Sequence, residues 1–165
     1  MKFNGAVPTI RADFKAVSNG LDNGHWLFPE QMGGNDKVGF IYVVRDSYLK
    51  KLYLGKKSYR GTGKLNKGKE SAWRQYCSSS KLLIEMIGGR PRNEFDFICL
   101  EEYKTKGTLS YSETWSLCLV EAPTSDIWYN TLIEKVSWKV KEPISDRHKE
   151  RLNKAISWQN ISEFK

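Results

Sequence analysis

The chain has 165 residues, of which 39% are apolar and 13% aromatic. This composition excludes a disordered polypeptide and suffices for one hydrophobic core, so one domain with short extensions is the simplest organisation. The net charge of +8 predicts an acidic partner.

The sequence also argues against a membrane protein and against several kinds of metal site. No apolar run approaches the roughly 20 residues of a membrane span, and the first residues lack the apolar stretch of a signal peptide. The three cysteines form no CxxC pair, which argues against a zinc knuckle or a disulfide framework. With only two histidines, a His-rich metal site is also disfavoured, and we expect a cytoplasmic protein with reduced thiols and no membrane partner.

The first part of the chain predicts an irregular segment followed by a β-hairpin. Glycines and polar residues make 1–37 turn-rich, typical of an extension or arm. The β-branched and aromatic run 38–44 predicts a strand, and 49–55 predicts its antiparallel partner after a polar turn. We expect a central domain at 38–140 and a C-terminal helical extension at 141–165.

The middle of the chain predicts a basic loop and helices. Residues 56–69 are rich in lysine and glycine without P-loop spacing, which indicates a flexible cationic loop rather than a nucleotide site. A short helix is predicted at 70–76. Ser80 is a candidate cap for a second helix, which the glycines at 88–89 would end.

The remaining elements complete an α+β pattern. An alternating apolar run at 95–100 predicts a third strand, and 110–121 predicts a helix that stops before Pro123. Residues 132–140 fit either strand or coil. An amphipathic helix is predicted at 145–158, with His148 solvated near its start. Together these elements predict an α+β fold around a small three-stranded antiparallel sheet.

Positive charge is concentrated in one part of the sequence. The stretch from Arg45 to Arg92 contains 13 basic residues and three acidic ones. Its net charge is therefore +10, which exceeds the net charge of the whole chain. A nucleic acid would release counterions on binding there, although a solvated lysine face that maintains solubility is the simpler alternative. The candidate contacts with nucleic acid are Lys56, Lys57, Arg60, Lys64, Lys67, Lys69 and Tyr76.

Four elements occur in an order typical of one enzyme family. They are Gly-Phe-Ile-Tyr at 39–42, Tyr-Leu-Gly at 53–55, Glu113, and Trp-Tyr-Asn at 128–130. Over 39–134 the chain resembles the GIY-YIG nucleases, with one inserted aromatic residue in the first motif and leucine for isoleucine in the second. The stretch at 70–80 is also similar to phage-encoded, Seg-like homing endonucleases.

The resemblance implies a fold, a reaction and a set of roles. The fold would be a three-stranded antiparallel sheet flanked by helices, and the reaction metal-dependent DNA hydrolysis by a monomer or transient dimer. Glu113 would bind one Mg²⁺ or Mn²⁺ ion. Tyr42 would act as general base or position the water, with its pKa lowered by nearby cations or metal-bound water. Tyr53 would orient the water or phosphate, and Asn130 would brace the site.

The cation that stabilises the phosphate departs from the family pattern. The family carries an arginine four residues before a histidine or tyrosine; if Tyr76 is that aromatic residue, the arginine position is Ala72. Arg74 is therefore the first candidate for the catalytic phosphate contact, because a guanidinium pairs with phosphate in bidentate geometry. The alternatives are Arg60, Lys56 and Lys57.

Each of these residues also has a structural interpretation. Ser110 and Glu113 fit a helix capping box, in which the glutamate only caps the backbone. Tyr42 and Tyr53 could simply fill one face of a sheet, and Asn130 could be a turn residue.

Other functions also fit parts of the sequence. Glu102 and Lys104, with Asp96 six residues earlier, weakly resemble a PD-(D/E)xK nuclease site. A non-catalytic nucleic-acid-binding module is a second alternative, supported by the displaced arginine. A structural virion or ribosome-associated protein would fit the charge but leave the motifs accidental.

Overall fold

A computed structural model describes residues 20–134 and 140–165, so part of the 132–140 segment lies outside the described residues. Three strands form one antiparallel sheet: β1 (Gly39–Asp46), β2 (Lys51–Ser58) and β3 (Phe95–Tyr103). Their order is β2-β1-β3, so β1 is central. The predicted α+β fold with a three-stranded antiparallel sheet is confirmed.

Three helices flank the sheet. α1 (Lys81–Gly89) begins at the predicted cap, where the Ser80 hydroxyl accepts the Leu83 amide. α3 (Asp146–Ile156) is capped in the same way by Ser145. The predicted helix at 70–76 is wrong in extent, since only Trp73–Gln75 form a 3₁₀ turn.

α2 (Lys106–Leu119) starts four residues earlier than predicted. Its cap is Thr105, whose hydroxyl accepts the Thr108 amide at 3.2 Å. Ser110 therefore lies inside the helix, and the interpretation of Glu113 as a capping-box residue is wrong. Glu113 lies beyond the first turn of a helix that Thr105 already caps. Its carboxylate is therefore available for other contacts.

β2 extends further than its sequence suggests. It pairs with β1 as far as Gly39 with Ser58, so Lys56 and Lys57 are strand residues rather than part of a flexible loop. Alternation along the strand then sends these two side chains to opposite faces of the sheet.

The sheet is buried on both faces. Because side chains alternate along a strand, each strand contributes to two cores. One core packs against α2 and α3, the other against α1 and the 20–37 segment. The first face includes Ile41, Val43, Leu52, Leu54, Ile98 and Leu100; the second includes Phe40, Tyr42, Val44, Tyr53, Phe97 and Cys99.

Residues preceding β1 cover the free edge of β3. The Leu27 amide donates to the Phe97 carbonyl at 2.8 Å, and the Cys99 amide donates to the Leu27 carbonyl at 3.2 Å. Trp26 is 1% exposed, and its indole N–H donates to the Trp73 carbonyl at 2.7 Å. The described part of the predicted arm therefore contributes to the core beside β3.

α3 is held against β3 by a buried arginine. The Arg151 guanidinium donates to the Cys99 carbonyl at 2.8 Å and to the Leu27 carbonyl at 2.9 Å. It also donates to the Phe164 carbonyl at 3.1 Å, so one side chain joins the helix, the sheet, the 20–37 segment and the C-terminal residues. Within the described residues, no helix has both the length and the apolar character to cross a membrane.

His148 is buried, contrary to the prediction that it is solvated. Its Nδ1 shares a hydrogen bond with the Tyr103 hydroxyl at 2.9 Å, and its Nε2 with the Ser116 hydroxyl at 2.8 Å. The ring thus connects β3, α2 and α3. Burial lowers the pKa of His148 to about 4, while Glu101 opposes this shift.

The two histidines predict a loss of stability in mild acid. Burial also lowers the pKa of His25 to about 3, with a further contribution from Arg92. Below about pH 6.5 the unfolded histidines take up protons that the folded ones do not, so stability falls as pH decreases from about 6.5 towards 4. In urea titrations from pH 7 to 4.5, the slope of unfolding free energy against pH reports the number of protons taken up on unfolding. In His148→Gln this number should be about one lower than in the wild type.

The matched control for this prediction is Tyr103→Phe. It removes a hydrogen bond of the same network without removing the titrating ring, so it should destabilise the protein but keep the wild-type slope. Equal slopes for His148→Gln and the wild type would contradict the assignment.

Candidate active site

The candidate site lies at the outer edge of β2. Because β2 is the outermost strand, alternate backbone groups point away from β1 and need other partners. The Leu52 amide donates to the Ile127 carbonyl, and the Tyr129 amide donates to the Leu52 carbonyl, both at 2.7 Å. These bonds place Asn130 beside the second tyrosine motif.

Asn130 continues the pairing with its side chain. Its Oδ1 accepts the Leu54 amide at 2.8 Å, and its Nδ2 donates to the Leu54 carbonyl at 2.7 Å. Asn130 is 9% exposed, and its two hydrogen bonds to Leu54 take the place of a neighbouring strand. Leu54 lies between Tyr53 and Gly55, so Asn130 fixes the backbone of the motif.

Tyr42 and Tyr53 lie close together on the sheet face that contacts α1. Their ring centroids are 6.1 Å apart, and the Tyr76 ring approaches Tyr42 edge-on at 6.0 Å. The Tyr53 hydroxyl shares a 2.9 Å hydrogen bond with Ser79. Gly55 is directly opposite Tyr42, and a Cβ there would lie 2.5 Å from the Tyr42 hydroxyl, so the glycine leaves room for this group.

The Tyr42 hydroxyl is protonated at neutral pH. Burial raises its pKa well above the usual value, and Tyr76, Tyr53 and Glu113 raise it further. The expectation that neighbouring cations lower this pKa is therefore not met by the described residues. A buried, protonated phenol orients a partner through hydrogen bonds more readily than it accepts a proton.

Glu113 reaches the same edge from α2. Its side chain is 14% exposed, and Lys56 Nζ lies 2.7 Å from its Oε2. Burial raises the pKa of Glu113, whereas the Lys56 ammonium and the Lys56 backbone amide lower it, and burial has the larger effect. The charge of Glu113 also raises the pKa values of both Tyr42 and Tyr76.

The residues present fit a weakly held hard cation better than a preformed metal cage. Within residues 20–134 and 140–165, no group of three or more histidine, cysteine, aspartate or glutamate side chains could hold a metal. Glu134, 77% exposed, is the second carboxylate at Lys56, with its Oε2 3.2 Å from Nζ. One buried carboxylate suits Mg²⁺, which retains several waters and takes other ligands from phosphate.

The structure brings two lysines, rather than Arg74, to the tyrosines and Glu113. Lys57 Nζ lies 4.1 Å from the centroid of the Tyr76 ring, and burial lowers its pKa. Lys56 contacts Glu113, as described above. The guanidinium of Arg74 instead contacts Glu70 at 2.6 Å and Asp22 at 3.1 Å, and lies over the Trp73 ring.

The other predicted cations lie on a loop that follows β2. Arg60, Lys64, Lys67 and Lys69 are exposed, and we call residues 60–70 the basic loop. The loop is closed at its base, where Ser71 N donates to the Tyr59 carbonyl at 2.7 Å. It therefore extends from the end of β2 that carries Lys56 and Lys57.

No pattern along the chain distinguishes Ser79 from its neighbours. Three consecutive serines differ only in tertiary contacts: the Ser78 hydroxyl accepts the Ser80 amide, the Ser80 hydroxyl caps α1, and Ser79 contacts Tyr53. Lys57 was one of several lysines, and only its position on β2 identifies it as close to the tyrosines.

The PD-(D/E)xK alternative does not form a site. Asp96 and Glu102 are near opposite ends of β3, which separates them by about 20 Å at the usual rise of an extended strand. Asp96 pairs with Arg45, and Glu102 accepts the Tyr59 hydroxyl at 2.6 Å. Lys104 Nζ pairs with Asp36 at 3.1 Å on the surface.

Comparison with known families agrees with this geometry. Residues 26–133 match the family model described as "Putative endonuclease segE, GIY-YIG domain". The matched region covers about two thirds of the chain and includes both tyrosine motifs, Glu113 and Asn130. The chain therefore belongs to the GIY-YIG endonuclease family, and the match supports a nuclease function. No curated protein and no solved structure gave a significant match.

The role of Asn130 predicts a pH-dependent effect of one substitution. Asn130→Asp keeps the acceptor for the Leu54 amide but places a carboxylate against the Leu54 carbonyl. We expect a loss of about 1–3 kcal/mol in unfolding free energy at pH 8, where a buried carbonyl loses its donor. The loss should shrink near pH 4.5, because the protonated acid can donate again.

Asn130→Ala is the control for this experiment, because it removes both hydrogen bonds and cannot titrate. Unfolding of both variants, measured in urea across the pH range, separates the two effects. If the difference between the two variants did not depend on pH, the amide would not be bracing Leu54.

Proposed function

We propose that the protein is a metal-dependent DNA endonuclease that hydrolyses phosphodiester bonds at the outer edge of β2. The observation that carries this proposal is the buried carboxylate of Glu113 beside β2, the strand that carries the second tyrosine motif, with a charge that acts on Tyr42. A charge kept at 14% exposure, with a pKa raised by burial, is costly to the fold and typical of a functional site.

Glu113 would hold one Mg²⁺ or Mn²⁺ ion. Such an ion, when bound, stabilises charge on the phosphate and makes a coordinated water more acidic. Lys56 Nζ lies 2.7 Å from Oε2 of this carboxylate, so Lys56 would compete with the ion for Glu113. The Lys56 ammonium could also contact a non-bridging phosphate oxygen of the substrate.

The tyrosines position the reactants. Since Tyr42 keeps its proton at neutral pH, its hydroxyl orients the attacking water or a phosphate oxygen instead of serving as the resting base. Tyr53, held by Ser79, would orient the other reactant. Lys57 supplies positive charge on the tyrosine side of the sheet, and Asn130 keeps the motif in place.

DNA is the proposed substrate, and the basic loop would follow its phosphate backbone. One site of this type cuts one strand at a time, so the protein would act as a monomer that nicks or as a transient dimer that cuts both strands. A cytoplasmic location accords with this substrate and with the three free cysteines.

A non-catalytic DNA-binding module is the second candidate. The ion pair between Lys56 and Glu113 favours it, because the ammonium already neutralises the one buried carboxylate that a metal would use. It predicts tight, salt-dependent DNA binding without cleavage in any metal.

The first test is cleavage of supercoiled plasmid in Mg²⁺, Mn²⁺ or EDTA. We expect metal-dependent nicking that falls about 100-fold or more in Glu113→Gln, the scale of losing one contact to the transition state. Tyr42→Phe, which keeps the buried ring, should also lower the rate. Because burial disfavours the Glu113 charge, Glu113→Gln should unfold at a temperature no lower than the wild type at pH 8.

Glu134→Gln is the matched control. Glu134 also contacts Lys56 but is largely exposed, so its loss should leave nicking near the wild-type rate. A folded wild type that binds DNA and cleaves it in none of these metals would overturn the enzyme in favour of the binding module.

Lys56 predicts a shift in the pH profile. The Lys56 ammonium lowers the pKa of Glu113, so Lys56→Met should raise that pKa further. Metal binding requires the deprotonated carboxylate, so the acid limb of single-turnover nicking should move to higher pH. Lys56→Arg should retain the wild-type limb, and Lys64→Met should weaken DNA binding without moving it. An unmoved limb in Lys56→Met would show that the pair does not control the site.

A further inference from the structure

The tip of the basic loop exposes an apolar side chain. Leu65 is 88% exposed, the highest value for a large apolar residue in the part of the chain that the structure describes. Single exposed leucines are common on protein surfaces, so exposure alone carries no function. The shape and the charge of the loop around Leu65 are what indicate a function for this side chain.

The loop is closed by its own backbone hydrogen bonds. Gly61 N donates to the Lys69 carbonyl at 2.8 Å, and Gly68 N donates to the Gly61 carbonyl at 3.1 Å. Asn66 N donates to the Gly63 carbonyl at 3.1 Å, which makes 63–66 a turn with Leu65 as its third residue. A Cβ at Gly61 would lie 2.3 Å from the Asn66 carbonyl oxygen, so this closure depends on glycine.

Positive charge surrounds the leucine. Lys64 precedes it, and Lys67 and Lys69 follow on the same exposed loop, whose one acidic residue is Glu70. Glu70 is itself paired with Arg74 at the base of the loop. Lysines that contact phosphates on either side of a groove would bring Leu65 to the base-pair edges between them.

We propose that Leu65 is a wedge that inserts between base pairs from the minor groove and kinks the bound DNA. Minor-groove proteins combine cations with an apolar side chain that partly unstacks one base step, and the basic loop presents both groups on a narrow turn. A single leucine buries too little surface for a protein interface. The inference rests on DNA being the partner, as proposed above, but does not require cleavage.

Insertion would also affect the choice of target. Pyrimidine–purine steps such as TA unstack more easily than others, so a wedge favours them without hydrogen bonding to the bases. The protein would then prefer sequences that tolerate a kink in the bound duplex, and several different sequences would meet that requirement.

The test uses the full chain in EDTA, so that bound DNA stays intact. The probe is a duplex with fluorophores at both ends and a fluorescent adenine analogue at a central TA step. We expect wild-type binding to shorten the end-to-end distance and to brighten the analogue, which reports unstacking. Leu65→Ala should lose both signals, while DNA affinity falls by about tenfold or less because unstacking offsets part of the leucine burial.

Two further variants make the result specific. Leu65→Met should retain most of the bend, since methionine can also act as a wedge. Lys67→Gln should reduce the dependence of log affinity on log salt by about 1 and leave the bend of the bound complex unchanged.

The outcomes separate this inference from the proposed function. Failure of the wild type to bind DNA would overturn the proposed function itself. Binding without a bend, or with an equal bend in Leu65→Ala, would overturn the wedge alone and leave the nuclease proposal standing.

Discussion

β2 lies at the edge of the sheet, where every second residue directs a backbone N–H and C=O away from β1. An open edge of this kind invites pairing with other chains, so these groups need partners. Residues 127–129 pair with Leu52, the Asn130 amide pairs with Leu54, and the Glu113 carboxylate contacts the Lys56 ammonium. The contacts that protect the edge therefore also bring Glu113 and Asn130 to the tyrosine motif, and fold and site share one set of interactions.

Burial sets the chemistry at this edge. It keeps Tyr42 protonated and raises the pKa of Glu113, although Lys56 opposes the second effect. A carboxylate in this environment gains from any cation that reaches it, whether an ammonium or a hydrated metal. In the protein alone, the ion pair with Lys56 stabilises the Glu113 charge. If Lys56 and Glu113 separated, a divalent ion would stabilise Glu113 and a DNA phosphate would pair with Lys56. In the proposed mechanism, substrate and metal binding are thereby linked.

The positive charge of the chain has two structural contexts. Lys56 and Lys57 are half-buried on β2 and contact Glu113 and Tyr76. The lysines of the basic loop are exposed and contact solvent. Charges of the first kind act at short range on one phosphate, whereas charges of the second kind contribute salt-dependent affinity along the backbone. Arg74 belongs to neither group, because Glu70, Asp22 and the Trp73 ring hold its guanidinium.

Local patterns in the sequence determined the class of fold, the three strands, the cap Ser80, and the order of motifs that marks the GIY-YIG family. These features depend on alternation, turn residues and hydroxyl caps within a few neighbouring positions. Tertiary structure alone decided that Asn130 pairs with Leu54, 76 residues away, that Lys56 rather than Arg74 meets Glu113, and that His148 is buried. It also decided that Thr105 caps α2. Such outcomes depend on how separate elements pack, and no pattern along the chain specifies which of several equivalent lysines or serines will lie at the contact.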